Sequence, residues 1–372
     1  MSKNTAVNKK KPDSILLYTS IALIVLGILT LASVSASLSY KTFESTFYFL
    51  QHQIIFGLIP GIILGVFIFK KDIEWIKKKS SIIFLLNLFL LFLVIAPKLV
   101  GLSSGVMRSL NLFFFSIQPA EFLKLTVVLY LASWWSSFKN KKIEGAENKN
   151  LSLIVFLTIM AVIGFLIVLQ PNVSTFGIIA IIATIVYFSA DSAFWHTPFL
   201  GALGVAAFLT LMKTADYRSN RLAVFLDPET DPMGIGYQLK QAMITIGSGG
   251  LAGVGIGLSQ QKGYLPELLS DSIFAIFAEE TGFIGSFILI ALFVLFAWRG
   301  FLIAYHSNDI FCRLTAVGIS SWIILETFIN ISTMIGIIPL TGVPLPFMSY
   351  GGSALISELI GVGLLLNISR QS

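Results

Sequence analysis

The 372-residue chain is 56% hydrophobic and 12% charged, with a formal net charge of +6 and a single cysteine, Cys312. Soluble domains carry roughly 25% charged residues, so an ordinary soluble fold is excluded, and one cysteine excludes an internal disulfide framework. Uninterrupted apolar runs of about 18 residues or more mark an all-α polytopic membrane protein.

About ten spans can be drawn, near 14–35, 52–69, 80–97, 119–137, 151–169, 174–190, 196–213, 272–298, 310–336 and 350–368. The run from Ser14 to Val34 reads as a retained first span, because no small-residue cleavage site follows a short apolar core. Basic residues collect at Lys9 to Lys11, Lys70, Lys71, Lys77 to Lys79, Lys139, Lys141, Lys142, Lys149, Arg299, Arg313 and Arg370. With the N-terminus inside, these fall in the inner segments, and the excess predicts that both termini face the cytoplasm. Topology and anionic membrane lipid account for the basic clusters without nucleic acid. The chain reads as one integral membrane domain. Residues 1–13 form a cytoplasmic tail, and residues 214–271 form a large outer loop between the seventh and eighth spans.

The fourth span opens Gln118-Pro119-Ala120-Glu121-Phe122-Leu123-Lys124. Proline suits the first helical turn, and Glu121 and Lys124 are i,i+3 neighbours able to pair. Two readings stand: a structural ion pair, or a polar cavity wall that helps to bind an anionic head group. Gln170-Pro171-Asn172 is a short turn explained by its residue types alone. Arg218 and Arg221 on the outer loop suit an anion such as pyrophosphate, with surface solubility as the alternative.

The interval from Asp227 to Gly285 concentrates polar and glycine residues beside the membrane, where irregular backbone and carboxylates are expensive unless they line a wet cavity. Gln238 and Lys262 flank its glycine-dense passage, Gly247 to Gly257. No Gly-Lys-Ser/Thr follows that passage, so it is not a phosphate-binding loop of that type. Close helix packing or a re-entrant loop explains it. Asp271 sits at the predicted water–lipid boundary. It can cap the helix beginning at Ser272, accept a proton from a partly desolvated position, or do both. Glu279 and Glu280 lie at least two turns inside the next span and should face the bundle interior, with Lys124 and the arginines as partners. Near the end of the chain, Pro339 to Ser353 reads as a shaped loop bordering a cavity, in which Ser349 and Ser353 can donate hydrogen bonds. Glu326, Asn330 and Glu358 are further polar residues inside spans.

Five motifs in order carry a resemblance over about residues 14–368. They are QPAEFLKL at 118–125, FLDPETDPMGIGYQLKQ at 225–241, IGSGGLAGVGIGLSQQKGYLPE at 246–267, DSIFAIFAEETGFIG at 271–285 and PLTGVPLPFMSYGGSAL at 339–355. The chain resembles the SEDS family (shape, elongation, division and sporulation; the FtsW/RodA/SpoVE group), with wording nearer the division branch. The resemblance implies a peptidoglycan glycosyltransferase that polymerises lipid II, the undecaprenyl-pyrophosphate-linked disaccharide pentapeptide, in the bacterial cytoplasmic membrane. It makes Asp271, which opens the DxIFA motif, the catalytic carboxylate. It assigns Glu121 and Lys124 to a central cavity and to orienting the pyrophosphate or the base, Arg108, Arg218 and Arg221 to pyrophosphate contacts, and Ser349 to the cavity lining. It implies a class B penicillin-binding protein transpeptidase as partner, along with other divisome or elongasome membrane proteins. A divalent cation (Mg or Mn) could assist the departing pyrophosphate, but no ligand cluster is available to assign it to. The family's usual GARRWI reads Gly105-Val106-Met107-Arg108-Ser109-Leu110 here, QPDLGT reads QPNVST, HTDFIF reads LSDSIF, and Glu326 replaces a customary glutamine. These departures bear on donor-site contacts. A lipid II flippase and a non-catalytic scaffold for a transpeptidase are the competing functions. A scaffold would tolerate loss of Asp271, whereas a polymerase would not.

Overall fold

The computed structural model describes residues 11–99, 108–112, 115–140, 149–190, 193, 195–213 and 216–371. It is a helical bundle whose helices follow the apolar runs. Helix α1 (Ser14–Phe43) is capped by Asp13, whose carboxylate accepts from the Leu16 N–H at 2.8 Å. The second span is α2 (Tyr48–Gln53), a π-helical turn (Ile54–Leu58) and α3 (Ile59–Lys70) in one continuous rod. Helix α4 (Ile73–Leu99) leads to a short hairpin of β1 (Leu110–Leu112) and β2 (Phe115–Ile117), with Leu110 opposite Ile117. Then come α5 (Pro119–Asn140), α6 (Lys149–Leu169), α7 (Val173–Ser189) and α8 (His196–Lys213). After the long connection, α11 (Ile273–His306), α12 (Ile310–Met334) and α13 (Gly352–Ser369) close the bundle.

Seven helices among the described residues are long and apolar enough to cross a membrane. The shorter or more polar α5, α7 and α8 complete the set of about ten spans expected from the sequence. Their order from centre to rim follows burial: α12 and α13 are 67% and 78% buried over their most apolar stretch, the second span only 22%. Leu85, Leu86 and Phe89 on α4 and Phe165 on α6 are exposed. An apolar outer surface is stable against hydrocarbon and would be costly in water.

Small residues bring α3 and α13 together. A side chain at Gly65 would lie 2.7 Å from the Leu359 carbonyl, and one at Gly363 would lie 2.3 Å from the Gly65 carbonyl. The spacing Gly57, Gly61, Gly65 therefore permits backbone approach as in small-xxx-small helix pairs.

Within the expected outer loop, residues 216–271 are more ordered than a loop. They hold α9 (Asp216–Leu226) and α10 (Ile235–Ser248), both too short to register as spans. Gly236, Leu239, Ala242 and Thr245 of α10, spaced three residues apart, are buried. The glycine passage packs against α11 where that helix breaks at Gly282, at φ 68°. There the Phe283 and Ile284 N–H groups donate to the carbonyls of Gly250 and Leu251 at 2.9 and 3.1 Å, and the Val254 and Gly255 N–H groups donate to the main-chain carbonyls of Glu279 and Glu280 at 3.0 and 3.1 Å. A helix broken at membrane depth leaves backbone groups that need partners, and this passage supplies them. A Cβ on Gly282 would meet the Gly253 nitrogen at 2.3 Å, so both glycines are required by close approach as well as by φ.

Candidate functional site

A polar cavity of about 560 Å³ opens at the end of the bundle that carries α9 and α10. Its walls come from six places: Gln118 and Glu121 at the start of α5, Asn172 and Thr175 at the start of α7, Arg221 of α9, Gln238 of α10, the turn Glu267-Ser270-Asp271, and the 342–353 loop with Ser349 and Ser353. Glu326 of α12 and Glu358 of α13 also reach it, and Arg108 stands at its rim.

The deep side is an ionic cluster. The Lys124 Nζ, 2% exposed, donates to Glu121 Oε2 at 2.7 Å and Glu326 Oε1 at 2.5 Å. Trp322 Nε1 donates to the other Glu326 oxygen at 2.6 Å, and the ammonium lies 5.2 Å from the centre of the Trp322 ring. A buried charge must be paired and hydrogen-bonded, and this one is. Glu358 Oε2 accepts from the Phe347 N–H at 2.7 Å, holding a residue at φ 62° that is not glycine.

The Asp271 carboxylate is 8% exposed. Its Oδ1 accepts from the Ser270 hydroxyl at 2.8 Å. Burial pushes this carboxyl above the usual range and the Glu267 charge adds to the rise, while the Ser270 hydrogen bond, a backbone N–H and the Arg221 guanidinium oppose it. The capping role is not taken: Ser272 is the N-cap of α11, and no side chain caps that terminus. Neighbouring elements grip the turn through its main chain. Asn330 Nδ2 donates to the carbonyls of Asp271 and Val343, each at 2.8 Å. Ser349 Oγ donates to the Ser270 carbonyl at 2.5 Å and accepts from the Leu345 N–H at 2.8 Å. Ser272 Oγ donates to the Pro266 carbonyl at 2.8 Å and accepts from Gln238 at 3.4 Å.

Of the residues singled out from sequence, Asp271, Glu121, Gln238, Ser349, Arg221 and Arg108 share this cavity, and Lys124 braces it from below. Arg108 Nη2 donates to the Pro171 carbonyl at 3.1 Å and Arg221 Nη1 to the Thr341 carbonyl at 3.4 Å. Arg218 lies on α9, but its side chain is outside the described residues. Lys262, Glu279 and Glu280 are elsewhere. Lys262 Nζ pairs with Glu280 at 2.6 Å and donates to Ser33 Oγ of α1 at 2.9 Å. Glu279 accepts from the Ser259 hydroxyl and from the Gln260 N–H. The expectation that Lys124 and the arginines neutralise these two acids is therefore corrected: the loop after the glycine passage does so, because it folds back over α11. Sequence reading did not join Glu267, Ser270 and Asn330 to Asp271. Asn330 carried a signal, an amide inside an apolar span, whereas the other two looked like loop surface. Among the described residues no three His, Cys, Asp or Glu side chains converge as a protein-held metal would need.

The fold and this cavity define a polytopic helical membrane protein with a carboxylate-rich polar site at one end. The sequence profile of the FtsW/RodA/SpoVE family of cell cycle proteins matches residues 13–372. Stage V sporulation protein E of Bacillus subtilis is 37% identical, with 98% of each chain covered. A probable peptidoglycan glycosyltransferase FtsW of Coxiella burnetii is 35% identical over 97% of this chain and 96% of its own. Among solved structures, one chain of a peptidoglycan synthase complex that coordinates polymerization and crosslinking superposes with a TM-score of 0.78 at 25% identity, covering 96% of this chain and 98% of that one. The rod shape determining protein RodA of Thermus thermophilus shares the fold, with a TM-score of 0.69 at 23% identity over 96% of this chain and 97% of its own. The chain belongs to the FtsW/RodA/SpoVE family.

Proposed function

We propose that the chain is a peptidoglycan glycosyltransferase that polymerises lipid II at the outer face of the bacterial cytoplasmic membrane. In this reading both termini are cytoplasmic and residues 1–372 form one domain. The observation that carries the proposal is Asp271, buried in the wall of a polar cavity that also holds two guanidinium groups. Glycosyl transfer between lipid-linked sugars needs a group to take the proton of the acceptor 4-hydroxyl while its oxygen attacks the donor C1. It also needs positive charge near the departing lipid pyrophosphate. A carboxylate whose ionisation is disfavoured by burial is a stronger base than one in water, which suits Asp271 to the first task. Arg108 and Arg221 suit the second, since guanidinium forks match phosphate oxygens. Glu121, Lys124 and Glu326 are assigned to shaping the cavity floor.

The relatives named as probable peptidoglycan glycosyltransferases support the activity, and the synthase complex supports a class B penicillin-binding protein transpeptidase as partner. The test is lipid II polymerisation by the purified protein with such a partner, comparing wild type with Asp271→Ala. Glycan strands from wild type and none from a folded variant bear the proposal out. Equal strands from both remove Asp271 from the chemistry. No strands from wild type turn the assignment toward lipid transport or a scaffold.

A further inference from the structure

Each glycosyl transfer, on the reading just proposed, leaves a proton on a buried carboxylate that must lose it before the next cycle. We propose that Ser270 and Glu267 form the exit route for that proton, from Asp271 through the Ser270 hydroxyl to the Glu267 carboxylate and then to water.

The geometry rests on one hydroxyl between two acids. Ser270 Oγ lies 2.8 Å from Asp271 Oδ1 and 3.1 Å from Glu267 Oε2. A serine hydroxyl carries a single proton, so it cannot donate to two ionised carboxylates at once. Both contacts become hydrogen bonds when one of the acids carries a proton and donates it to Oγ. Two such arrangements exist, with the acid proton on Asp271 or on Glu267, and they interconvert by moving two protons one step each. The site is thus built to exchange a proton between an enclosed carboxyl and an outer one.

The outer end leads to solvent. Glu267 is exposed, and it lines a second cavity, of about 570 Å³, on the other side of the turn. Ser270 and Glu267 line both cavities, whereas Asp271 lines only the first. Glu267 is held at φ 48°, a left-handed conformation that a residue with a side chain rarely adopts. The N–H groups of Ser270 and Ser272 fix it by donating to its carbonyl at 3.2 and 3.3 Å.

The other charged or titratable groups around Asp271 are Arg221 on α9, Arg108 at the rim, Glu121 on α5, Glu326 on α12, and Tyr350 and Glu358 at and beyond the 342–353 loop. Of the acids, Glu267 is the one that shares the Ser270 hydroxyl with Asp271 among the described residues.

The acceptor hydroxyl gives its proton to Asp271 as its oxygen bonds to the donor C1, and the C1–O bond to pyrophosphate breaks with the electron pair leaving on the pyrophosphate. Asp271 then donates its proton to Ser270 Oγ while the original Ser270 proton passes to Glu267. Glu267 releases it to water, and Asp271 is again a carboxylate. Glu267 and Ser270 are positioning residues in this scheme, acting through Asp271.

The test measures lipid II polymerisation by the full chain with its transpeptidase partner across about pH 5 to 9, for wild type, Ser270→Ala, Ser270→Thr and Glu267→Gln. The expected result is a fall in kcat of about 10-fold or more in Ser270→Ala and Glu267→Gln, with KM for lipid II within about twofold, and recovery in Ser270→Thr. The acid limb of the rate profile moves up in Ser270→Ala, which loses a hydrogen bond to the ionised form. It moves down in Glu267→Gln, which loses a repelling charge. A structural role alone would lower activity without moving the limb in opposite directions. Wild-type rates and unmoved limbs in both variants, while Asp271→Ala makes no strands, overturn the relay and leave the polymerase reading intact. No strands from wild type overturn both. If Ser270→Ala does not fold, Glu267→Gln at the exposed end carries the test. Infrared titration of its carboxyl stretch, which needs no turnover, must then show the Asp271 transition moved down, and an unmoved transition overturns the relay.

Discussion

Removing one ammonium from the deep side of the cavity tests how its charges are held. In Lys124→Met the Glu121 and Glu326 carboxylates lose a cation that sits 2.7 and 2.5 Å from them. Two oxygens that share one partner at those distances are at most about 5 Å apart. At an effective dielectric of about 20 their mutual repulsion is then about 3 kcal/mol. Breaking a buried ion pair from one side costs about 3–5 kcal/mol in measured cases, so the electrostatic figure accounts for most of the expected loss. The double variant Lys124→Met/Glu326→Gln removes the repulsion and should recover about 2–3 kcal/mol of it. It falls short of wild type because the glutamine oxygen keeps the Trp322 hydrogen bond only with its NH2 turned toward the apolar methionine. Thermal unfolding of the purified protein in detergent, read by tryptophan fluorescence, should order the midpoints as wild type, double variant, single variant. A double variant that melts no higher than Lys124→Met would refute charge balance as the role of the cluster.

Asn330→Ala should lower the unfolding midpoint and strand formation together. It strands the Asp271 and Val343 carbonyls in a buried site, at about 1–3 kcal/mol each, and the same melting assay reads it. Gly282→Ala should destabilise by more than the roughly 1–2 kcal/mol of a left-handed backbone, since its Cβ also meets the Gly253 nitrogen at 2.3 Å, and low yield of folded protein is the readout. Asp271→Asn should abolish strand formation yet melt above wild type at neutral pH. The folded-state pKa of Asp271 is raised by burial, so its contribution to stability is fully present below the unfolded value, about 3.9, and is lost as pH rises through the folded one. A variant that melts below wild type at neutral pH would show that ionised Asp271 is stabilised by its surroundings.

The bundle was legible because apolar runs of span length have few other readings. The motif from Gln118 to Lys124 also kept its promise: i,i+3 spacing on a helix nearly guarantees that two long side chains can meet. What escaped was set by tertiary return of the chain. Adjacent residues on a helix point about 100° apart, so Glu279 and Glu280 could not share partners on one wall. One turns to the Ser259 hydroxyl and the Gln260 N–H, the other to Ser33 of α1 and Lys262. Neither direction can be read without knowing that the glycine passage pairs with a broken helix. Helices α9 and α10 were hidden for a different reason, since short amphipathic segments among glycines and prolines lack the run length that betrayed the spans. Glu267 and Ser270 looked like loop surface because their meaning depends on a left-handed turn.

The way the Asp271 turn is held bears on why its carboxylate can do work. Asn330, Ser349 and Ser272 grip the turn through the carbonyls of Asp271, Ser270 and Pro266, and the Tyr350 N–H adds a fourth bond to Leu269 at 2.8 Å. None of these donors titrates near neutral pH, and none touches the carboxylate itself. Position is therefore secured by backbone bonds, while protonation is governed by burial, Ser270, Glu267 and Arg221. Had Asp271 capped α11, gaining a proton would have weakened the cap and loosened the helix end that positions it. With the cap position taken by Ser272, the proposed cycle can load and unload a proton at the carboxyl while the turn stays still, which repeated proton transfer from a fixed site requires.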